Sequence, residues 1–235
     1  MSEGINIDNF PIDTEALWAN VSNREAKEQI AKKIVSYANN GDVIGFGSGT
    51  TSMVCALEFG NAVRDGLSIN AVVTSLELEW LCEKLGIDTL NVSDTQVDWC
   101  FDGADEVDPN GNLLKGRGGA MHRERQVFTA AKKRIVVADS SKDVKVLGEK
   151  FPAPIEISAA NAVEVMSKLN SMGFDEVSIR TGSGKDGPVI TESGNFIADI
   201  IYRKGFTSEV ANEIISINGV VDTGLFMGFE FERLS

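Results

Sequence analysis

At 235 residues, with 43% hydrophobic and 24% charged, the chain has the balance of a globular protein with one large domain or a large and a small one, and disorder is excluded as its main theme. Asp and Glu number 35 against 22 Lys and Arg, a formal net charge of -13 that opposes a polyanionic partner and argues against nucleic acid. A small anion is still accommodated, because a few placed lysines and backbone N–H groups make a local positive pocket.

The opening MSEGINIDNFPID lacks a basic stretch followed by an apolar run, and no segment has the roughly 18 uninterrupted apolar residues of a membrane helix. A cytoplasmic protein with no membrane partner is expected. Cys55, Cys82 and Cys100 are odd in number and form no CxxC pair, so they read as buried or incidental thiols rather than a disulfide framework or metal motif.

Ala26, Ile30, Ile34 and Ala38, with Ala31 and Val35 beside them, recur at helical spacing behind a capping box from Ser22 to Glu25, which predicts a first helix. Residues 42–46 read as a short buried strand, a glycine-rich turn follows, and 51–62 reads as a helix. The same rhythm continues with strand 69–73, helix 77–85 stopped by Gly86, strand 98–101, a short strand before Lys115, helix 119–132 and strand 134–138. Strands alternating with helices imply a parallel sheet covered on both faces.

At Phe151-Pro152-Ala153-Pro154 the rhythm changes, and paired prolines mark an extended connection, so a domain boundary belongs near there. Beyond it come strand 155–157, helix 161–172, strand 176–180, a glycine-rich loop 182–187, a short strand at Val189-Ile190, strand 196–201, helix 208–217 and strand 220–221. That order is β-α-β-β-α-β with one extra short strand, a small split-βαβ module.

Three segments carry candidate chemistry. Gly45-Phe46-Gly47-Ser48-Gly49-Thr50-Thr51 lies between a strand and a helix, where glycines permit tight turns and a helix N-terminus presents unpaired N–H groups to an anion. It lacks the Gly-Lys-Ser/Thr of a Walker loop, and Thr50 stands where a dinucleotide fingerprint needs glycine. The phosphate of a small molecule and a plain connecting turn both remain as readings. Asp102-Gly103-Ala104-Asp105-Glu106-Val107-Asp108 follows a strand, at the end where open α/β sheets bind ligands, and Asp102 and Asp105 are its candidates. A calcium loop starting at Glu106 is excluded, since Arg117 occupies the position of the bidentate Glu, and Asp108-Pro109-Asn110-Gly111 reads as a turn. In Lys115-Gly116-Arg117-Gly118-Gly119-Ala120-Met121-His122-Arg123-Glu124, a flexible glycine run separates a cation, Lys115, from a carboxylate, Glu124. With the Asp pair these form an acid/base set. His122, whose free pKa of roughly 6.5 suits proton transfer, reads instead as an exposed helical residue.

Taken together the segments GSGTTS, DGADEVD, KGRGGAMHRE and ADSSK resemble, in order and spacing, those of the A type ribose-5-phosphate isomerases, from about Arg24 to Gly228. The resemblance implies an α/β fold, a Rossmann-like parallel-sheet domain (1–147 plus 222–235) carrying an inserted smaller ferredoxin-like α+β domain (148–221) at an oligomer interface. It implies interconversion of D-ribose 5-phosphate and D-ribulose 5-phosphate in the pentose phosphate pathway, without metal or cofactor, by a homodimer or homotetramer. Glu124 then matches the general base, Asp102 the carboxylate of ring opening, and Lys115 the cation facing the developing oxyanion. Gly103, Ala104, Asp105, Gly116, Arg117 and Gly118 would line the sugar, and Ser48, Gly49, Thr50, Thr51, Lys142 and Lys27 would hold the phosphate.

Three features depart from the family pattern. Arg117 stands where glycine is common, Thr74-Ser75-Leu76 replaces a more serine-rich stretch and is assigned no ligand role, and the ends of the chain differ. Two other readings compete. A sugar-phosphate sensor would need a DNA-binding module, but the segment before the first helix carries Asp8, Asp13 and Glu15 and no basic helix-turn-helix pattern. An amino-sugar phosphate deaminase would replace the acid/base set, and the Asp102, Lys115 and Glu124 spacing favours the isomerase.

Overall fold

The computed structural model describes residues 24–235, so the cap at Ser22 and the segment before it lie outside the described residues. In chain order the first elements are α1 (Arg24–Val35), β1 (Val43–Phe46), α2 (Gly49–Arg64), β2 (Asn70–Val73), α3 (Leu76–Lys84), β3 (Asp88–Thr89) and β4 (Val97–Gly103). Next come β5 (Glu106–Val107), β6 (Leu113–Leu114), α4 (Met121–Ala130) and β7 (Ala131–Val137). The remainder holds β8 (Ala153–Ile157), α5 (Ala162–Ser171), β9 (Glu176–Ile179), β10 (Phe196–Ile201), α6 (Ser208–Ile215), β11 (Val220–Thr223), β12 (Leu225–Phe226) and β13 (Glu232–Leu234). Among the described residues no helix is long and apolar enough to cross a membrane.

The chain divides into two compact units. The first comprises 24–103 of the described residues with Gln126–Val137 and Leu234, the second Ala104–Arg125 with Ala138–Arg233 and Ser235. This division differs from the expected boundaries at 147/148 and 221/222. Residues 104–125 and 138–147 group with the second sheet, where β6 pairs with β12 and the Lys115 N–H donates to Gly224 O at 2.9 Å, while β11 (Val220–Thr223) spans 221/222.

In the first unit β7, β4, β1, β2 and β3 lie side by side, every pair parallel. Such strands are covered on both faces and must be apolar throughout, as the Val43-Ile44-Gly45-Phe46 run is. Phe46 is in register with Val73 on one side and Phe101 on the other, so β1 and β2 end at one level while β4 runs two residues further, to Gly103. From β1 the chain moves outward to β2 and β3, whereas β4 lies on its opposite flank, and the ends of β1 and β4 mark the switch point where doubly wound sheets bind ligands. Phe46, Phe59, Trp99 and Phe101 pack ring against ring beneath that point, with centroids 4.9 to 6.5 Å apart. On α1 the buried positions are Ala31 and Ile34, while Ala26, expected on that face, is exposed.

The second unit holds a four-stranded antiparallel sheet in the order β11-β8-β10-β9, built from β8-α5-β9-β10-α6-β11, which bears out the ferredoxin-like expectation. Ile155, Ile157, Ala198 and Ile200 pack with Val165 and Leu169 of α5 and Ala211 and Ile214 of α6. A small sheet β12-β6-β5 accompanies it. Two expectations are corrected. Val189-Ile190 is not a strand, since only single bridges, Thr181 to Pro188 and Ile190 to Phe196, form there. The helix expected to reach Lys132 stops at Ala130, because Ala131 is already in register with Val97 of β4.

Candidate active site

In the first unit, the turn after β1 is set by its neighbours. The Gly47 N–H donates to Phe101 O at 2.8 Å, and a Cβ at Gly47 would fall 2.0 Å from Cγ of Asp102. Only glycine lets this turn pass the Asp102 carboxylate, which is 4% exposed and accepts from the Gly103 N–H at 2.7 Å. Ser48 is extended at the cap of α2, and α2 opens with Gly49, Thr50 and Thr51, whose first N–H groups have no partner within the helix. Lys27, half-buried on α1, donates from Nζ to Thr50 Oγ1 at 2.8 Å, which brings a cation to the anion-facing end of α2. Thr74 and Ser75 are structural: Thr74 Oγ1 donates to Phe46 O at 3.1 Å, and Ser75 Oγ accepts from Leu78 N at the start of α3.

In the second unit Asp105, Lys115 and Glu124 of the acid/base set are brought together, and Asp102 belongs to the first unit. Lys115, after β6, and Glu124, on the first turn of α4, are almost wholly buried, with Nζ 3.2 Å from Oε2. Lys115 lies over the Phe226 ring, 5.5 Å from its centroid. The Lys115 carbonyl would be 2.3 Å from a Cβ at Gly224, so that glycine is what lets β6 and the residue before β12 close on each other. Half-buried Asp105 accepts on Oδ2 from the Arg117 N–H at 3.2 Å, which binds it to the Lys115–Gly118 run. Burial pushes the Asp105 carboxyl above its ordinary value, and Glu124 adds to this; the Arg117 N–H, Lys115 and Lys142 oppose it. Lys142 ends a 3₁₀ turn that Asp139 caps by accepting from Ser141 N at 2.7 Å, and it acts on Asp105 through charge.

One sequence expectation is overturned here. His122 is half-buried, not exposed, with Nδ1 3.1 Å from Asp222 Oδ2, and Arg125 Nε meets the other oxygen of Asp222 at 2.6 Å. Asp222 thus grips α4 on both sides of Glu124. Glu106, given no role in the sequence, is fully buried and accepts from the N–H groups of Gly148, Lys150 and Phe151 at 2.6, 2.6 and 2.8 Å, so it shapes the chain rather than facing a ligand. The Asp108–Gly111 stretch is a turn, with Asp108 Oδ1 accepting from Asn110 and Asn112. All three cysteines are buried, and burial pushes Cys55 and Cys82 up to about 12, with Glu58 and Glu79 adding to it, which removes both as nucleophiles. Among the described residues no group of three or more His, Cys, Asp or Glu is arranged to hold a metal ion.

Residues 70–233 match the family model of ribose 5-phosphate isomerase A (phosphoriboisomerase A). The chain belongs to the ribose 5-phosphate isomerase A family. The ribose-5-phosphate isomerase A of Methanothermobacter thermautotrophicus is 40% identical over 206 residues, 86% of this chain and 89% of that protein. The solved isomerase A of Methanocaldococcus jannaschii superposes with a TM-score of 0.83 at 38% identity, covering 89% of this chain and 93% of that one. A further D-ribose-5-phosphate isomerase, solved in complex with phospho-erythronic acid, gives a TM-score of 0.82 at 32% identity, covering 90% and 93%. As a ribose 5-phosphate isomerase A family member, the chain carries the Rossmann-like sheet and ferredoxin-like module that its motifs implied.

Proposed function

We propose that the chain interconverts D-ribose 5-phosphate and D-ribulose 5-phosphate through an enediolate, as an aldose-ketose isomerase of the pentose phosphate pathway. The observation that carries this reading is the buried pair of Lys115 and Glu124, 3.2 Å apart. Moving a proton between adjacent carbons beside a carbonyl calls for a base over the carbons and positive charge where oxygen becomes negative. Glu124 takes the proton from C2 of the open aldose and returns it to C1, while Lys115 faces the oxygen that carries the charge. Asp102 handles the hydroxyl proton of ring opening. Asp105, Gly103, Ala104 and the Gly116–Gly118 backbone line the sugar, and Ser48, Gly49, Thr50 and Thr51 with Lys27 and Lys142 receive the phosphate.

The phospho-erythronic acid bound by a solved relative has a phosphate at one end and a carboxylate at the other, so it is anionic at both ends as the phosphorylated enediolate is. Nothing in this proton-transfer chemistry calls for a metal or cofactor. The reading further puts the protein in the cytoplasm as a homo-oligomer, dimer or tetramer, with the ferredoxin-like module at the contact.

The test follows ribulose 5-phosphate appearing from ribose 5-phosphate in the presence of a chelator. The parent is expected to turn over, and E124Q, nearly isosteric but unable to accept the proton, to bind substrate with kcat lowered about 10³-fold. E124Q at near-parent rate would refute the assigned base, and a metal requirement would refute the cofactor-free route.

A further inference from the structure

Arg180 follows β9, away from every segment that carries the family motifs. Its Nε donates to Asp199 Oδ2 at 2.8 Å and its Nη2 to Oδ1 of the same carboxylate, a two-pronged pair in which 18% and 17% of the side chains are exposed. The remaining nitrogen, Nη1, donates to Gly116 O at 3.2 Å and Arg117 O at 2.9 Å. These two carbonyls follow Lys115 in the chain, and the Arg117 N–H is the donor to Asp105. Asp105, Arg117, Phe151, Pro152, Arg180 and Asp199 surround a cavity of about 220 Å³, and the Arg117 guanidinium lies 5.0 Å from the centre of the Phe151 ring.

The run Lys115-Gly116-Arg117-Gly118-Gly119 contains three glycines and belongs to no strand or helix; the Gly119 N–H closes on Gly116 O at 2.9 Å, which leaves the Arg117 carbonyl with wide freedom unless something outside the run fixes it. A guanidinium already held flat by a carboxylate is suited to that, because its rigid fork leaves a donor aimed at the loop with little rotamer freedom left to lose. We infer that Arg180, oriented by Asp199, is a positioning residue that fixes the 115–117 segment and through it the Asp105 carboxylate. The kinetic part rests on the isomerase reading above. A lysine in its place carries the charge but cannot span the carboxylate and both carbonyls at once.

The experiment compares the parent with R180M, R180K and D199N. The expected result is a KM for ribose 5-phosphate raised about tenfold in R180M with kcat lowered less than about threefold, a smaller rise in R180K, and a shift in the same direction in D199N. In hydrogen exchange followed by mass spectrometry, peptides spanning 114–120 of R180M exchange at least about tenfold faster while those of β8 keep parent protection. Parent-like KM and exchange in R180M overturn the inference. So does loss of folded protein with parent constants in the folded fraction, or R180K behaving no better than R180M. A parent with no isomerase activity would refute the functional reading instead, and the exchange data then still decide whether Arg180 holds the segment.

Discussion

Between Phe46 and Thr51 the chain offers an anion main-chain N–H groups, hydroxyls and one lysine reaching in from a neighbouring helix, whereas at Lys115 and Glu124 it holds an ammonium and a carboxylate 3.2 Å apart with 3% and 4% of the side chains exposed. The first arrangement rests on backbone, which persists whichever side chain is lost. The second rests on two buried charges that compensate each other, so removing either leaves the other buried without that counter-charge. One region should therefore tolerate substitution in graded fashion and the other should not.

Substituting Lys115 gives the largest expected effect. K115M is expected to lower kcat about 10³-fold and to cost about 3 kcal/mol in denaturant unfolding, because Glu124 is left buried without its ion. The double variant K115M/E124M should recover much of that stability and none of the activity. Equal stability of K115M and parent would show that the pair is not compensated as described. Next comes G47A, whose methyl group would sit 2.0 Å from Asp102 Cγ. Pushing the carboxylate aside is expected to lower kcat/KM about 100-fold and stability by about 1–3 kcal/mol. An active, stable G47A would show that the turn can move away from Asp102.

K27A tests the tolerant region. Its KM should rise about fivefold with kcat unchanged, and the gap should narrow at high salt, as expected of a partly exposed charge. A large loss of kcat would mean that Lys27 serves more than the phosphate. The smallest effect belongs to Asp105, which burial holds above the ordinary carboxylate value of 3.8 in the folded chain. As pH rises the unfolded chain ionises first, so stability present below about 3.8 is lost as pH climbs through the folded value. D105N is spared that loss. Its Tm near pH 7 should equal or exceed that of the parent, with the gap narrowing toward about pH 4; a lower Tm near pH 7 would contradict the direction of the shift.

What could be read from the amino acids alone follows the distance over which each contact acts. The strand Val43–Phe46, its glycine turn and the start of α2 are local patterns, and so is the order β8-α5-β9-β10-α6-β11, because helix and strand periods are written within a few turns of chain. Strand β6 is the short strand expected before Lys115 and β5 pairs with it across the local 108–111 turn, but the two residues of β12 carry no period of their own and form a strand because Phe226 meets Leu113 across more than a hundred residues. His122 looked exposed for the same reason, since its partner Asp222 is 100 residues away. Glu124 and Lys115 were legible from residue types and the family motifs. Arg180 was not, because nothing near it in the chain signals that its guanidinium meets the carbonyls of 116 and 117.

Glu106 has a consequence for how the protein is made. Its three N–H donors come 42, 44 and 45 residues later in the chain. At roughly 5–20 residues per second of synthesis, the carboxylate precedes its last donor by roughly 2–9 s. Until then it stays hydrated, and the segment around it has no reason to leave water. Closure of this part of the fold thus waits on translation through Phe151, and a ribosome stalled short of that residue would expose the nascent β5 to whatever else the cell offers it.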